Sequence, residues 1–122
     1  MKRLFAAALV VAAALVVAGI VLAATTRTIS ASPTKLAYSK KKLVATPGKV
    51  TLRMTNPSVL KHNIALRKGT TAKSKLLVKG KVVGKGGLSK VTARLKVGKY
   101  RYLCTVLGHE AGGMWGILTV KR

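Results

Sequence analysis

Four residues combine soft metal-binding side chains with a spacing that one small site can use: His62, Cys104, His109 and Met114. The last three follow the pattern Cys-x4-His-x4-Met, so a single tight loop can turn all three toward one point. His62 lies about forty residues upstream and opens a segment in which His62, Ile64 and Leu66 share one face. It can therefore project into the same end of a core. A thiolate, two imidazoles and a thioether form a soft donor set. A trigonal plane of two His and one Cys with a weak axial Met suits copper, because sulfur favours Cu(I) while imidazole tolerates Cu(II). Zinc prefers Cys and His without Met and fits less well. Each residue alone has a blander reading: His62 as a satisfied core histidine, Cys104 as a small buried apolar group, Met114 as core filling. The joint pattern outweighs those readings. Met1 and Met54 lie outside it.

The segments that must position these residues read as short strands. Thr28–Ser30, Leu36–Tyr38 and Leu43–Ala45 are brief candidates, the last ending at the turn dipeptide Pro47-Gly48. Val50, Leu52 and Met54 alternate with polar neighbours, as do Val91, Ala93 and Leu95, which is the period of a half-buried strand. Asn56-Pro57 stops the first of these, and Val97-Gly98-Lys99 turns the chain after the second. Tyr100, Tyr102 and Cys104 share a face, and Ile117–Lys121 forms a last strand after the loop 105–114. Residues 67–87 are rich in Lys and Gly, with only Leu76–Val78 and Val82-Val83 as weak strand signals. Tyr100, Tyr102 and Trp115 read as packing, Lys40–Lys42 as a solvated turn or edge with a docking face as the alternative, and Gly84–Gly87 and Gly112-Gly113 as turn chemistry. Seven or eight short strands, with no helix indicated, predict an all-β Greek-key β-sandwich.

Composition narrows the chemistry further. Lys and Arg number 24 against one acid, Glu110, for a formal net charge of +23. Such cations cannot be paired internally, so nearly all are expected in water, where they attract anionic partners. Paired-carboxylate hydrolysis, a Ser-His-Asp relay and carboxylate-rich calcium or magnesium sites cannot be built from one acid. Cys104 is the only cysteine, so no intramolecular disulfide is possible, and metal ligation explains an unpaired thiol in an exported chain.

Export is suggested by the N-terminus, where Lys2 and Arg3 precede an uncharged run from Leu4 to Thr26. Val21 and Ala23 suit the third and first positions before a cleavage site. The run also reaches the roughly 20 residues that span a bilayer, so a retained anchor is the rival. Lys2-Arg3 is not a twin-arginine motif, which favours export unfolded and copper loading outside. The expected organisation is a signal or membrane anchor over 1–24 and one copper-binding domain over 25–122.

The segment Tyr100 to Val120 resembles the cupredoxins, the type 1 blue copper proteins typified by plastocyanin, azurin and auracyanin. The Cys104–Met114 loop followed by Trp115-Gly116, His62-Asn63 at a strand start, Gly98-Lys-Tyr-x-Tyr-x-Cys104 and Pro47-Gly48-Lys49-Val50 all carry the likeness, which covers about residues 28–121. The resemblance implies that Asn63 and Thr105 hydrogen-bond to tie the two ligand-bearing segments together, with the Asn63 N–H facing the Cys104 sulfur. Residues 67–87 show no family pattern, and Glu110 directly after His109 is a departure.

The expected function is that of an exported one-electron carrier, not an enzyme, with one type 1 copper ion and the His109 edge as the electron port. An envelope copper-delivery protein without a redox-carrier role is the alternative, and a cationic polyanion-binding module is a weaker third. The expected partner is an acidic redox protein, such as a cytochrome or a membrane oxidoreductase. Membrane association through residues 4–24 is a further expectation, no nucleic-acid role is foreseen, and mutual repulsion predicts a monomer. Location follows as periplasmic, extracellular or on the outer face of the cytoplasmic membrane.

Overall fold

The computed structural model describes residues 23–122. The expected signal or anchor therefore lies, as far as residue 22, outside the described residues. Eight strands follow in order: β1 (Ala24–Ser30), β2 (Lys42–Ala45), β3 (Gly48–Thr55), β4 (Ala65–Lys68), β5 (Lys75–Lys79), β6 (Leu88–Leu95), β7 (Gly98–Leu103) and β8 (Trp115–Val120). They form a three-stranded sheet, β1-β3-β6, and a five-stranded sheet, β2-β8-β7-β4-β5. No helix occurs among the described residues. The expected all-β sandwich is the observed architecture.

The core lies between the two sheets and follows from alternation. In β3, Val50, Leu52 and Met54 are buried, and Val91 and Leu95 of β6 join them. The opposing sheet contributes Leu66, Tyr100, Tyr102, Leu118 and Val120. The chain crosses between sheets after β1 and again after β2, which is how β1 lies parallel to β3, and β2 parallel to β8, without a helical crossover. The strand order leaves β5 on the rim of the five-stranded sheet, its Leu76 and Leu77 more than a third exposed between Lys75 and Lys79.

Three short segments differ from the sequence expectation. Leu36–Tyr38 is not a strand; Tyr38 makes only an isolated bridge to Ala31. Val82-Val83 likewise reduces to a single bridge between Val83 and His62. The strand expected to begin at His62 begins at Ala65 instead. Tyr38 and Ile64 are buried, and Val83 partly so, by loops folded over the end of the sandwich, and such burial mimics a strand signal, while Val82 stays 44% exposed. β1 is conversely longer than expected, because Thr-rich residues Thr25–Thr28 pair along β3 without an apolar alternation to announce them.

Close packing at one position links β7, β8 and the residue after His62. Tyr102 of β7 pairs with Gly116 of β8, and a Cβ on Gly116 would overlap the Tyr102 ring. The missing side chain lets the ring lie across β8, where its hydroxyl donates to the Lys40 carbonyl at 2.6 Å. Tyr38 packs on it with ring centroids 5.7 Å apart. The Tyr38 hydroxyl donates to the Asn63 carbonyl at 2.7 Å, directly after His62. Burial pushes the pKa of both tyrosines upward, so the two hydroxyls stay protonated donors.

Candidate metal centre

One end of the sandwich gathers the C-terminal end of β7, the start of β8 and the segment leading into β4. Cys104 follows the last residue of β7, and its backbone N–H donates to the Met114 carbonyl at 3.1 Å, closing the loop at its base. Within the loop, His109 N–H donates to the Val106 carbonyl at 2.9 Å and Met114 N–H to the His109 carbonyl at 3.0 Å. Gly113 takes φ +116°, a left-handed conformation that returns the chain to β8 and that a side chain would strain.

His62 reaches the same place from a different loop. Its backbone exchanges hydrogen bonds with Val83, at 3.1 and 2.8 Å. The Asn56 side-chain amide donates to the carbonyls of Leu60 and Val83 and accepts from the Ser58 N–H, which fixes the approach to His62. Asn63 then joins the His62 segment to the Cys104 loop. Its amide donates to the Thr105 hydroxyl at 2.8 Å and the Gly80 carbonyl at 3.0 Å, while its oxygen accepts from the Thr105 N–H at 2.7 Å.

The outcome is a compact donor cluster. The Nδ1 atoms of His62 and His109 lie 3.1 Å apart, and the Cys104 sulfur is 3.9 and 3.6 Å from them. All three donor atoms fall within 4.8 Å of one another. Metal bonds of about 2 Å to nitrogen and about 2.3 Å to sulfur place ligand atoms of one ion roughly 3–4 Å apart, so these separations fit a shared ion. Met114 is fully buried in the core beside this cluster. His62, Cys104 and Met114 have no exposed surface, whereas His109 is half-buried and alone offers an edge to solvent.

Electrostatics prepares the donors. Burial, with the Nε2 of His62 lacking a hydrogen-bond partner, lowers that imidazole's pKa, and neighbouring His109 lowers it further. A neutral imidazole is the form a metal accepts. Burial raises the Cys104 thiol pKa, while backbone N–H groups of Asn63 and Val106 act in the opposite direction and favour the thiolate.

One feature of the site gave only a partial signal in the sequence. Glu110 sits between two guanidinium groups, with Arg67 at 2.8 Å and Arg101 at 2.8 Å. Its burial acts to raise its pKa, but the hydrogen bonds and charges of Arg67 and Arg101 outweigh this and hold the carboxyl below its usual value. Arg101, only 8 % exposed, is also stacked 4.0 Å from the Trp115 ring centroid and departs from the expectation that cations lie in water. The chain's one acid thus braces the loop behind His109 against β4 and β7. An Arg in a strand otherwise buried on both faces is the pattern that points to it.

The family of copper binding proteins described as the plastocyanin/azurin family matches residues 25–121. The chain belongs to this family. Among solved structures, this cupredoxin is similar to reduced auracyanin from Roseiflexus castenholzii, with 29% identity, a TM-score of 0.72, and coverage of 80% of this chain and 98% of that one. It is also similar to auracyanin A from Chloroflexus aurantiacus, described as a "blue" copper protein, at 26% identity and TM-score 0.70, covering 81% and 100%. Amicyanin from Paracoccus versutus shares the fold at 22% identity and TM-score 0.57, covering 79% and 81%. A search of curated sequences finds no match. Copper is accordingly the cofactor of this cupredoxin.

Proposed function

We propose that this cupredoxin is an exported one-electron carrier whose type 1 copper is held by His62, Cys104, His109 and Met114. The observation that carries the reading is the meeting of one sulfur and two Nδ1 atoms within 4.8 Å, from two loops locked together by Asn63 and Thr105. Bound copper supplies reversible one-electron chemistry. The chain's own part is to hold the donors still, so that little rearranges when the charge changes. Three donors lie in the dry core, and the half-buried His109 edge is the electron port, flanked by the exposed Leu107. Fast, reversible reduction with retention of metal supports the carrier, while ready release of copper to a chelator supports the delivery role instead.

Met114 is assigned as the weak axial donor. Met114→Gln replaces a thioether with a harder oxygen, which favours Cu(II) over Cu(I). The reduction potential should fall while the visible colour survives, because the trigonal donors are untouched. Voltammetry and an absorption spectrum of the same sample check both, and an unchanged potential removes Met114 from the ligand set.

The partner is proposed to be acidic. Glu110 is the only acid against 24 cations, so the field around the domain attracts negative surfaces from a distance. Screening shortens from about 10 Å at 0.1 M salt to about 3 Å at 1 M. Electron exchange with an acidic redox protein should slow by about tenfold or more between about 0.05 and about 0.5 M salt. Exchange with a neutral small reductant should barely change. Stopped-flow rates against ionic strength decide; a flat dependence with the acidic protein assigns docking to the apolar surroundings of His109.

A further inference from the structure

The pole opposite the metal centre has its own composition. β7 runs from Gly98 at that pole to Leu103 beside Cys104, so the two ends stand roughly 20 Å apart at about 3.4 Å per residue. Val97 projects there, 57% exposed, at the turn between β6 and β7. Two clefts of about 500 and 420 Å³ flank it and share Arg94, Leu95, Lys96 and Val97 as walls. Leu77, 37% exposed, lines the second cleft. Arg94, Lys96 and the adjacent Lys99 are exposed, and none is paired with an acid. The chain's one acidic side chain, Glu110, is held by Arg67 and Arg101 beside the metal centre, at the other pole.

The described chain also begins at this pole. Ala24 pairs with Lys49, and the Ala23 carbonyl lies so close to Gly48 that no side chain fits between them. Gly48 itself lines the first cleft. The uncharged sequence from Leu4 onward therefore joins the sandwich beside Val97, not beside the copper ligands.

We propose that this pole docks on an anionic lipid bilayer, with Val97 entering the interface and Arg94, Lys96 and Lys99 on the lipid phosphates, so that the metal centre faces away from the membrane. An apolar residue ringed by basic side chains matches a headgroup boundary, where the apolar part is buried and the cations stay on phosphate. An N-terminal segment retained as an anchor would enter the bilayer from this same pole and make even weak docking effective, because it would raise the local concentration of lipid. The inference stands independently of the copper assignment.

The test uses the full chain with a tryptophan reporter. Val97→Trp and, at the metal end, Val59→Trp, whose native residue is 80% exposed, are mixed with vesicles containing phosphatidylglycerol and brominated lipid. The expected result is quenching of the Val97→Trp emission, with Val59→Trp unaffected and Trp115 as common background. Combining Arg94→Gln, Lys96→Gln and Lys99→Gln should reduce the quenching on the order of tenfold. Lys81→Gln, Lys85→Gln and Lys90→Gln together remove the same charge elsewhere and should leave it intact. Equal quenching at both reporters, equal quenching on phosphatidylcholine alone, or equal loss in the two triple variants overturns the proposal. So does an emission shift of Val97→Trp with heparin but not with vesicles, which assigns the pole to a soluble polyanion.

Discussion

Cys104→Ser should leave the copper-loaded protein colourless, while the wild type shows an intense visible band that bleaches on reduction. The band requires a thiolate donating charge to Cu(II), and a serine hydroxyl at neutral pH is neither ionised nor soft. The fold should survive the change. Ser is close to Cys in size, and the Asn63 and Val106 N–H groups that face the sulfur would still meet an acceptor. Copper affinity should drop by more than the ~10–100-fold lost when a residue supporting a ligand is removed. Absorption spectroscopy of both proteins with one equivalent of copper, alongside circular dichroism, separates loss of the ligand from loss of the fold. A colourless wild type, or a coloured serine variant, refutes the assignment of Cys104.

Gly116→Ala should be among the most damaging single-methyl additions in the chain. The new Cβ would overlap Cζ, the hydroxyl oxygen and Cε2 of Tyr102, which is wholly buried and pinned to the Lys40 carbonyl. The ring has no free volume to enter, because Tyr38 packs against it and is itself held by the Asn63 carbonyl. Relief requires either separating β7 from β8 or breaking the Tyr102 and Tyr38 hydroxyl contacts. Overpacking of this severity costs about 3 kcal/mol, which for a domain of this size lowers Tm by roughly 12–24 °C. Gly84→Ala is the control, since a Cβ there meets no atom within 4 Å, and its Tm should stay within a few degrees of wild type. Thermal unfolding of the copper-free proteins by circular dichroism checks both. A Gly116→Ala protein as stable as the control would mean that β7 and β8 are less rigidly coupled than the structure indicates.

Much of this was legible because the strands with one dry face obey a strict period. Val50, Leu52 and Met54 in β3, and Val91 and Leu95 in β6, announce themselves by alternation. The candidate donors were recognisable by type, since so few side chains in the sequence can bind a metal. Segments 36–38, 62–64 and 82–83 were harder. Tyr38 and Ile64 are buried, and Leu36 and Val83 partly so, in loops capping the sandwich, and a short loop packed on the core has the same hydrophobic signature as a short strand. The brace formed by Arg67, Glu110 and Arg101 was hidden for another reason. It joins residues 43 and 9 positions apart in the chain, and only the pairing of β4 with β7 makes them neighbours.

The position of β5 at the rim of its sheet gives some of the lysines a role unrelated to copper or partners. A strand with Leu76-Leu77-Val78 at its centre and unpaired backbone groups along one side is a template for another chain of the same kind. Lys75 and Lys79 stand at its two ends. A second copy adding antiparallel in register would bring lysine opposite lysine at both ends, and a slipped register would give up leucine contacts. Charges placed where stacking would start thereby oppose fibrous self-association, even though Leu76 and Leu77 at the centre of the strand stay partly open to solvent.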